Sequence, residues 1–314
     1  MRSRFDRSRR RLLHASAGAA LATMLHGVSR AVRAAEEPIA TRPIPHSGER
    51  LPVVGIGTAI IFDFEHDQEK YAERRRVIQT LVAGGGSVID TAHSYGRAED
   101  RVGDIVADLG VRDRLFLATK FSYNADRAAA TASMRASLRR LKTNRVDLMQ
   151  AWNVGDAGYD FGLLREWKQQ GLCRYVGMTT SSIRQFDAIG KVLAREKPDF
   201  LQVNYSLGDR EAESALLPAA RDGGTAVLVN LPFGRNSLFR KAGGRPLPTL
   251  AAEFGARTWA QFFLKFILSH PALTAVIPGT DKPEYMLDNL QAGRGPLPDA
   301  AMRKRVLQYW DSLT

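Results

Sequence analysis

Asp90 and Tyr95 share the string Asp-Thr-Ala-His-Ser-Tyr-Gly at 90–96, and Lys120 ends an Ala-Thr-Lys string at 118–120. A free phenol has a pKa near 10 and is a poor acid at neutral pH. A buried ammonium beside it favours the phenolate and lowers that value, and a carboxylate such as Asp90 can hold the ammonium charged and oriented. A phenol tuned in this way can protonate a carbonyl oxygen as hydride reaches the carbon, which is general acid catalysis. A structural ion pair with a surface phenol is the bland alternative. Coincidence of all three residues in one motif set favours chemistry.

Such chemistry needs elements that carry the three side chains to one place. Short apolar runs rich in β-formers recur at 53–58, 87–92, 115–120, 146–152, 174–179, 200–205, 226–231 and 275–278. Amphipathic, helix-favouring stretches separate them at 68–83, 97–109, 128–141, 163–170, 183–196, 211–222 and 258–269. Continuous apolar strands alternating with helices imply a parallel sheet with covered faces. Eight such units match an α/β chain folded as a single-domain (β/α)8 TIM barrel better than an open doubly wound sheet, the second choice. The stretch 43–53, with Ser47-Gly48 near its middle, predicts an N-terminal hairpin across the bottom of the barrel. Gly55 and Gly57 form only a fragment of the G-x-G-x-x-G dinucleotide fingerprint, and Gly84-Gly85-Gly86 follows a helix, where glycines serve as cap and turn. In a barrel of this kind chemistry lies at the carboxyl ends of the strands. Asp90, Tyr95, Lys120, Trp152 and Asn153 all stand at such ends.

Composition narrows the partners. The 314 residues carry 45 Lys+Arg against 33 Asp+Glu, a formal charge of +12, but residues 1–34 hold eight Arg and one Asp, leaving +5 on the rest. The basic balance is largely a property of the tail, and the mixed signs elsewhere argue against nucleic-acid binding. Ser8-Arg9-Arg10-Arg11-Leu12-Leu13 resembles a twin-arginine export signal, followed by an uncharged stretch over 12–29 and small residues near Ala34-Ala35. The expected division is a signal at 1–35, with the twin-arginine translocation machinery as partner, and a barrel over 40–314. The expected location is periplasmic or exported; a basic tail on a cytoplasmic protein is the alternative. The uncharged stretch is short and interrupted by His14 and His26, so no stable membrane span is expected. Cys173, the single cysteine, excludes an internal disulfide or a cysteine zinc site and is expected to be buried and inert. Arg139-Arg140-Leu141-Lys142 is expected to be a solvated helix end.

From about Ile44 to Gln291 the chain resembles the aldo-keto reductases. The string with Asp90 and Tyr95, Glu99 beyond it, and Ala-Thr-Lys at the third strand match the family's sharpest signatures. The resemblance makes Asp90, Tyr95 and Lys120 the catalytic set. It places Gln202 with Thr179-Thr180 at the nicotinamide carboxamide, and Asn230, Pro232, Phe233, Gly234 and Arg235 along the pyrophosphate. Pro278, Gly279, Thr280, Lys282, Asp288 and Asn289 fall in the segment that holds the adenosine phosphate and adenine. A short helix opened by Pro283, with free amides and Lys282 beside it, suits a phosphate. The family's usual cofactor is NADP(H), and its substrates are small carbonyl compounds. Export in the folded state would let the enzyme leave the cytoplasm with an organic cofactor already bound.

The chain departs from the pattern at three places. Trp152 stands where the family has a catalytic His at the end of the fourth strand. Indole has one donor on a large plane and no exchangeable acceptor, and loss of one oxyanion donor costs about a hundredfold in rate. Trp152, His93 and Asn153 would line the substrate pocket, with His93 a candidate replacement donor. Gly279 and Tyr285 replace cations that relatives set against the 2′-phosphate, so NAD(H) stays open beside NADP(H). Asn230 replaces the aromatic ring that stacks on nicotinamide. Two functions follow: an NADP(H)-dependent oxidoreductase with Tyr95 as general acid, or a nucleotide- or ligand-binding barrel impaired by Trp152. A two-lobed periplasmic solute-binding protein would not give eight evenly spaced βα units.

Overall fold

A computed structural model describes residues 37–313; the export-type segment expected at 1–35 lies outside the described residues. Strands β1 (Thr41–Pro43) and β2 (Arg50–Pro52) form the expected antiparallel hairpin, Thr41 opposite Pro52 and Pro43 opposite Arg50. Its turn uses Gly48 at φ +75°, a left-handed conformation that a Cβ would strain.

Eight parallel strands follow: β3 (Ile56–Gly57), β4 (Val88–Asp90), β5 (Phe116–Ser122), β6 (Val146–Trp152), β7 (Cys173–Thr179), β8 (Phe200–Asn204), β9 (Ala226–Asn230) and β10 (Ala275–Val276). Each pairs with its neighbours in chain order. The last meets the first through Gly55 N to Val276 O at 2.9 Å, Val276 N to Val53 O at 2.9 Å and Gly57 N to Pro278 O at 3.2 Å. That seam makes the sheet a barrel rather than an open layer. Gly55 is required there, because a Cβ would lie 2.6 Å from Val88. The fingerprint fragment is therefore a feature of barrel closure.

The α-helices among the described residues are α1 (Gln68–Ala83), α2 (Ala98–Leu109), α3 (Arg127–Arg140), α4 (Gly162–Gln169), α5 (Phe186–Glu196), α6 (Leu216–Asp222), α7 (Ser237–Ala242), α8 (Trp259–Leu268), α9 (Pro283–Gln291) and α10 (Ala300–Ser312). Asp67, Asp126, Thr258 and Asp299 cap α1, α3, α8 and α10 by accepting a backbone N–H with the side chain.

Strand alternation sorts the core into two parts. Val88, Phe116, Ala118, Leu148, Tyr175, Phe200, Leu228 and Ile277 face inward and meet Ile44 and Leu51 of the hairpin, which plug the amino-terminal end. Tyr175 ties that plug down by donating its hydroxyl to Glu49 at 2.7 Å. Ile89, Leu117, Met149, Met178, Leu201, Val203 and Val229 belong to the second cluster, with Val77, Ile105, Leu164, Leu193 and Phe263 from the helices. Two residues further along five of the inward rows, Val88 gives way to Asp90, Ala118 to Lys120, Leu148 to Gln150, Phe200 to Gln202 and Leu228 to Asn230. In those rows the interior turns polar toward the carboxyl end. Among the described residues no helix is long and apolar enough to cross a membrane.

Candidate active site

Lys120 and Asp90 are 1% and 3% exposed at the ends of β5 and β4. Lys120 Nζ donates to Asp90 Oδ2 at 2.6 Å and to the Thr91 carbonyl at 2.8 Å. The other oxygen, Asp90 Oδ1, accepts from Gln202 Nε2 at 2.8 Å and from Gln150 Nε2 at 3.2 Å. Four strands therefore contribute to one buried carboxylate. Tyr95, in the turn after β4, is half-buried, and Lys120 Nζ lies 4.9 Å from its ring centroid. Burial by itself would lower the Lys120 pKa, but Asp90 and then Tyr95, through charge and hydrogen bonding, carry it above the ordinary lysine value. The ammonium is therefore a fixed charge at neutral pH.

The wall beside this centre is built from the residues assigned to the substrate pocket. His93 Nδ1 meets the Lys120 carbonyl at 3.0 Å, and a carbonyl only accepts, so the proton sits on Nδ1. Its Nε2 then accepts from Ser122 Oγ at 3.2 Å. Burial lowers the His93 pKa and keeps the ring neutral. With both nitrogens taken, His93 has no donor left for a substrate oxygen, which removes it as a replacement for the absent family His. Trp152 packs edge-on against that pinned ring at 5.7 Å and 86°. Asn153 follows at φ +52°, with its carbonyl accepting from Gln185 Nε2 at 2.9 Å.

The residues assigned to the nicotinamide end also converge. Thr179 Oγ1 accepts from Asn153 N at 3.3 Å, and Thr180 Oγ1 donates to Gln185 Oε1 at 2.7 Å. Asn230 Nδ2 donates to the Thr180 carbonyl at 2.9 Å and approaches Gln202 Oε1 at 3.5 Å. Gln202 thus spends its amide nitrogen on Asp90. After β9 the backbone is left-handed at Leu231, Gly234, Arg235 and Asn236. Pro232 is buried, Phe233 packs on Phe239 with centroids 5.0 Å apart, and Arg235 is exposed.

At the seam, Pro278 and Thr280 are buried, whereas Gly279 is exposed and bridges to Gly57. Lys282 precedes Pro283, the first residue of α9, and no side chain caps that helix. Two of the assigned positions are engaged or buried in this structure. Asp288 accepts from Thr258 Oγ1 at 2.8 Å and Gln261 Nε2 at 2.6 Å, joining α9 to α8, and Asn289 is 3% exposed inside α9.

Other roles were not legible from residue type. Gln150 had no assigned function although it shares Trp152's inward row. Glu99, 1% exposed, accepts from Thr119 Oγ1 at 2.5 Å and from Arg140 Nη2 and Nε at 2.6 and 2.7 Å, so this signature residue fixes α2 to β5 and α3. Arg140 is accordingly no free helix end, and Lys142 pairs with Asp104 at 2.8 Å. Cys173 opens β7 at the opposite end of the barrel, where burial pushes its thiol up to about 12. Among the described residues no His, Cys, Asp and Glu group could hold a metal ion.

A phenol over a buried ammonium, held by a carboxylate at the carboxyl end of a closed barrel, is the arrangement to compare with known proteins. The Aldo/keto reductase family model matches residues 53–305. The chain belongs to the aldo/keto reductase family. Aldo-keto reductase str7 of Strobilurus tenacellus is 28% identical over 280 residues, which cover 74% of this chain and 80% of that protein. Methylglyoxal reductase YeaE of Escherichia coli is 28% identical over 247 residues, covering 74% of this chain and 83% of its own. A Klebsiella pneumoniae aldo/keto reductase solved with NADP and acetate shares the fold at TM-score 0.71 and 24% identity, over 84% of this chain and 93% of that one. The thermostable aldo-keto reductase Tm1743, solved with epalrestat, has TM-score 0.71 and 26% identity, over 86% and 99%. This aldo/keto reductase is therefore an oxidoreductase by family, with its own wall at the fourth barrel strand.

Proposed function

We propose that the protein is an NADP(H)-dependent reductase of small aldehydes or ketones in which Tyr95 donates the proton. The observation that carries this reading is the Asp90–Lys120–Tyr95 arrangement, a permanent buried cation against a half-exposed phenol.

The residues opposite it suit a dinucleotide. Arg235 and Lys282, both in segments assigned to the cofactor, make no ion pair among the described residues, and Lys282, whose ammonium lies 5.7 Å from the Tyr285 ring centroid, flanks an uncapped helix of nine residues. Unpaired cations beside free amides form a phosphate-binding surface. NADP(H) is the cofactor of this reading, and the Klebsiella protein that shares the fold was solved with NADP. Thr179, Thr180, Gln202 and Asn230 would seat the nicotinamide, which when bound supplies the hydride. Lys120 stabilises the phenolate left behind when Tyr95 gives its proton to the carbonyl oxygen. Asp90 keeps Lys120 charged and aimed, and Gln150 and Gln202 keep Asp90 from turning.

Trp152 and the fully engaged His93 support a second reading, a barrel that binds nucleotide but turns over slowly. NADPH fluorescence titration followed by an aldehyde assay separates the two. Reduction that disappears in Tyr95→Phe, with unchanged NADPH affinity, supports the first; binding without oxidation supports the second. Activity that survives Tyr95→Phe would remove Tyr95 from the role of acid.

A further inference from the structure

The segment after β9 holds a strained backbone. Leu231, Gly234, Arg235 and Asn236 lie at φ +50°, +54°, +52° and +68°, and three of the four carry a Cβ, which disfavours that conformation. Residues held in this way persist only where the surrounding structure over-determines them. Local hydrogen bonds shape the segment without tying it to the barrel: Gly234 N donates to the Leu231 carbonyl at 2.9 Å, Ser237 N to that of Gly234 at 3.0 Å and Leu238 N to that of Phe233 at 3.4 Å. The tie to the barrel runs through side chains.

Those side chains lead to the last helix. Phe233 and Phe239 both pack on Phe263 of α8, with centroids 6.5 and 5.4 Å away. On α7, Leu238 and Ala242 are buried, and Lys241 Nζ lies 5.1 Å from the ring centroid of Trp310. Trp310, near the carboxyl end of α10, is itself buried and meets Phe263 edge-on at 5.3 Å. The same indole reaches the turn after β8: a Cβ at Gly208 would lie 2.8 Å from Leu238 Cδ2 and 4.0 Å from Trp310 Nε1, so that turn, α7 and α10 are packed closely together. Beside Trp310, Asp311 accepts from both terminal nitrogens of Arg210 at 3.2 Å, which fastens the turn to α10 a second time.

Resting on the reading that seats the cofactor pyrophosphate along 230–235, we propose that Trp310 is a positioning residue for the dinucleotide. The last helix braces α7, α7 holds the strained loop in its left-handed turns, and the loop meets the phosphates already shaped. Being buried, the indole touches no ligand itself. Without the brace the loop relaxes to an easier backbone, and the affinity falls by the fraction of molecules that no longer hold the binding shape.

The test compares the full chain with Trp310→Leu, which removes the ring, and Trp310→Phe, which keeps an aromatic face for Lys241 and Phe263. Hydrogen exchange without cofactor should run about tenfold faster over 231–242 in Trp310→Leu, with the hairpin at 41–52 exchanging as in the wild type. Calorimetry should show that variant binding NADP+ about tenfold more weakly, while kcat for a small aldehyde at saturating NADPH stays within about twofold. Trp310→Phe should recover most of both losses. Lys241→Met removes one contact from the outside of the brace and decides the matter if Trp310→Leu does not fold: exchange over 231–242 should rise about threefold, and Lys241→Arg should leave it unchanged. Unaltered exchange over 231–242, or an equal rise there and in the hairpin, would overturn the brace. Faster exchange with unaltered NADP+ affinity would overturn the positioning role. A wild type that binds no dinucleotide sinks the reductase reading instead, and the exchange pattern still decides whether α10 braces the loop.

Discussion

Lys120 owes its charge to three acceptors or dipoles that converge on one nitrogen, and removing it would leave Asp90 buried with only two amides as partners. An unpaired buried carboxylate is expensive, so Lys120→Met should destabilise the fold by about 3–5 kcal/mol. Adding Asp90→Asn should recover part of that loss, as measured by urea unfolding. The sign with pH follows from the raised lysine value. A group whose pKa is raised on folding contributes fully below its unfolded value and loses that contribution as pH climbs through the folded one. The Lys120 contribution should therefore be constant at neutral pH and fade only on the alkaline side. Trp152 is the other decisive residue. With both His93 nitrogens committed, the wall offers the substrate oxygen no imidazole. Trp152→His should raise kcat for a small aldehyde by about a hundredfold, the worth of one oxyanion donor. An unchanged kcat in steady-state assays, with the variant folded and binding NADPH, would show that indole already serves the oxygen.

Elements, not chemistry, explain Glu99. Its carboxylate joins three of them, taking Thr119 from β5 and Arg140 from α3 while seated in α2. Glu99→Ala should lower stability by about 2–4 kcal/mol, since it strands a buried hydroxyl and a half-buried guanidinium. Activity per folded molecule should not change; a fall in kcat without a fall in melting temperature would place Glu99 in the reaction instead. The same scale shows what the sequence could and could not disclose. All eight barrel strands were visible because a parallel strand covered on both faces is a continuous apolar run, and the polar residues standing where those runs stop, Asp90 and Lys120 among them, marked the site. Helix α7 is six residues long, too short to leave a periodic trace. Residue type placed Asp90, Tyr95 and Lys120. It did not show that Asp288 would be used up by Thr258 and Gln261, or His93 by Lys120 and Ser122, because those pairings join elements distant in sequence.

The whole molecule closes only when its two ends meet. Val54 bridges Val276 and Gly57 bridges Gly279, so the seam forms after nearly all of the barrel has been made. Non-local closure of this kind defers native structure to the end of synthesis. The segment proposed for the adenosine phosphate, Pro278 to Lys282, belongs to the same seam, and therefore no dinucleotide site exists in an incomplete chain. A chain passed through a membrane before folding would assemble that site away from the nucleotide pool of the cytoplasm. We propose that residues 1–35 direct export of the already closed barrel, which would avoid this. The expected outcome is that the native host's periplasmic fraction holds a chain beginning near Ala35 or Glu36 with nucleotide bound, as read by mass spectrometry. Replacing Arg9 and Arg10 together by Lys should keep the protein in the cytoplasm with unaltered NADPH affinity. Recovery of the unsubstituted chain only from the cytoplasm, with residues 1–35 intact, would make the basic segment a tail and return the enzyme to an ordinary intracellular supply of cofactor.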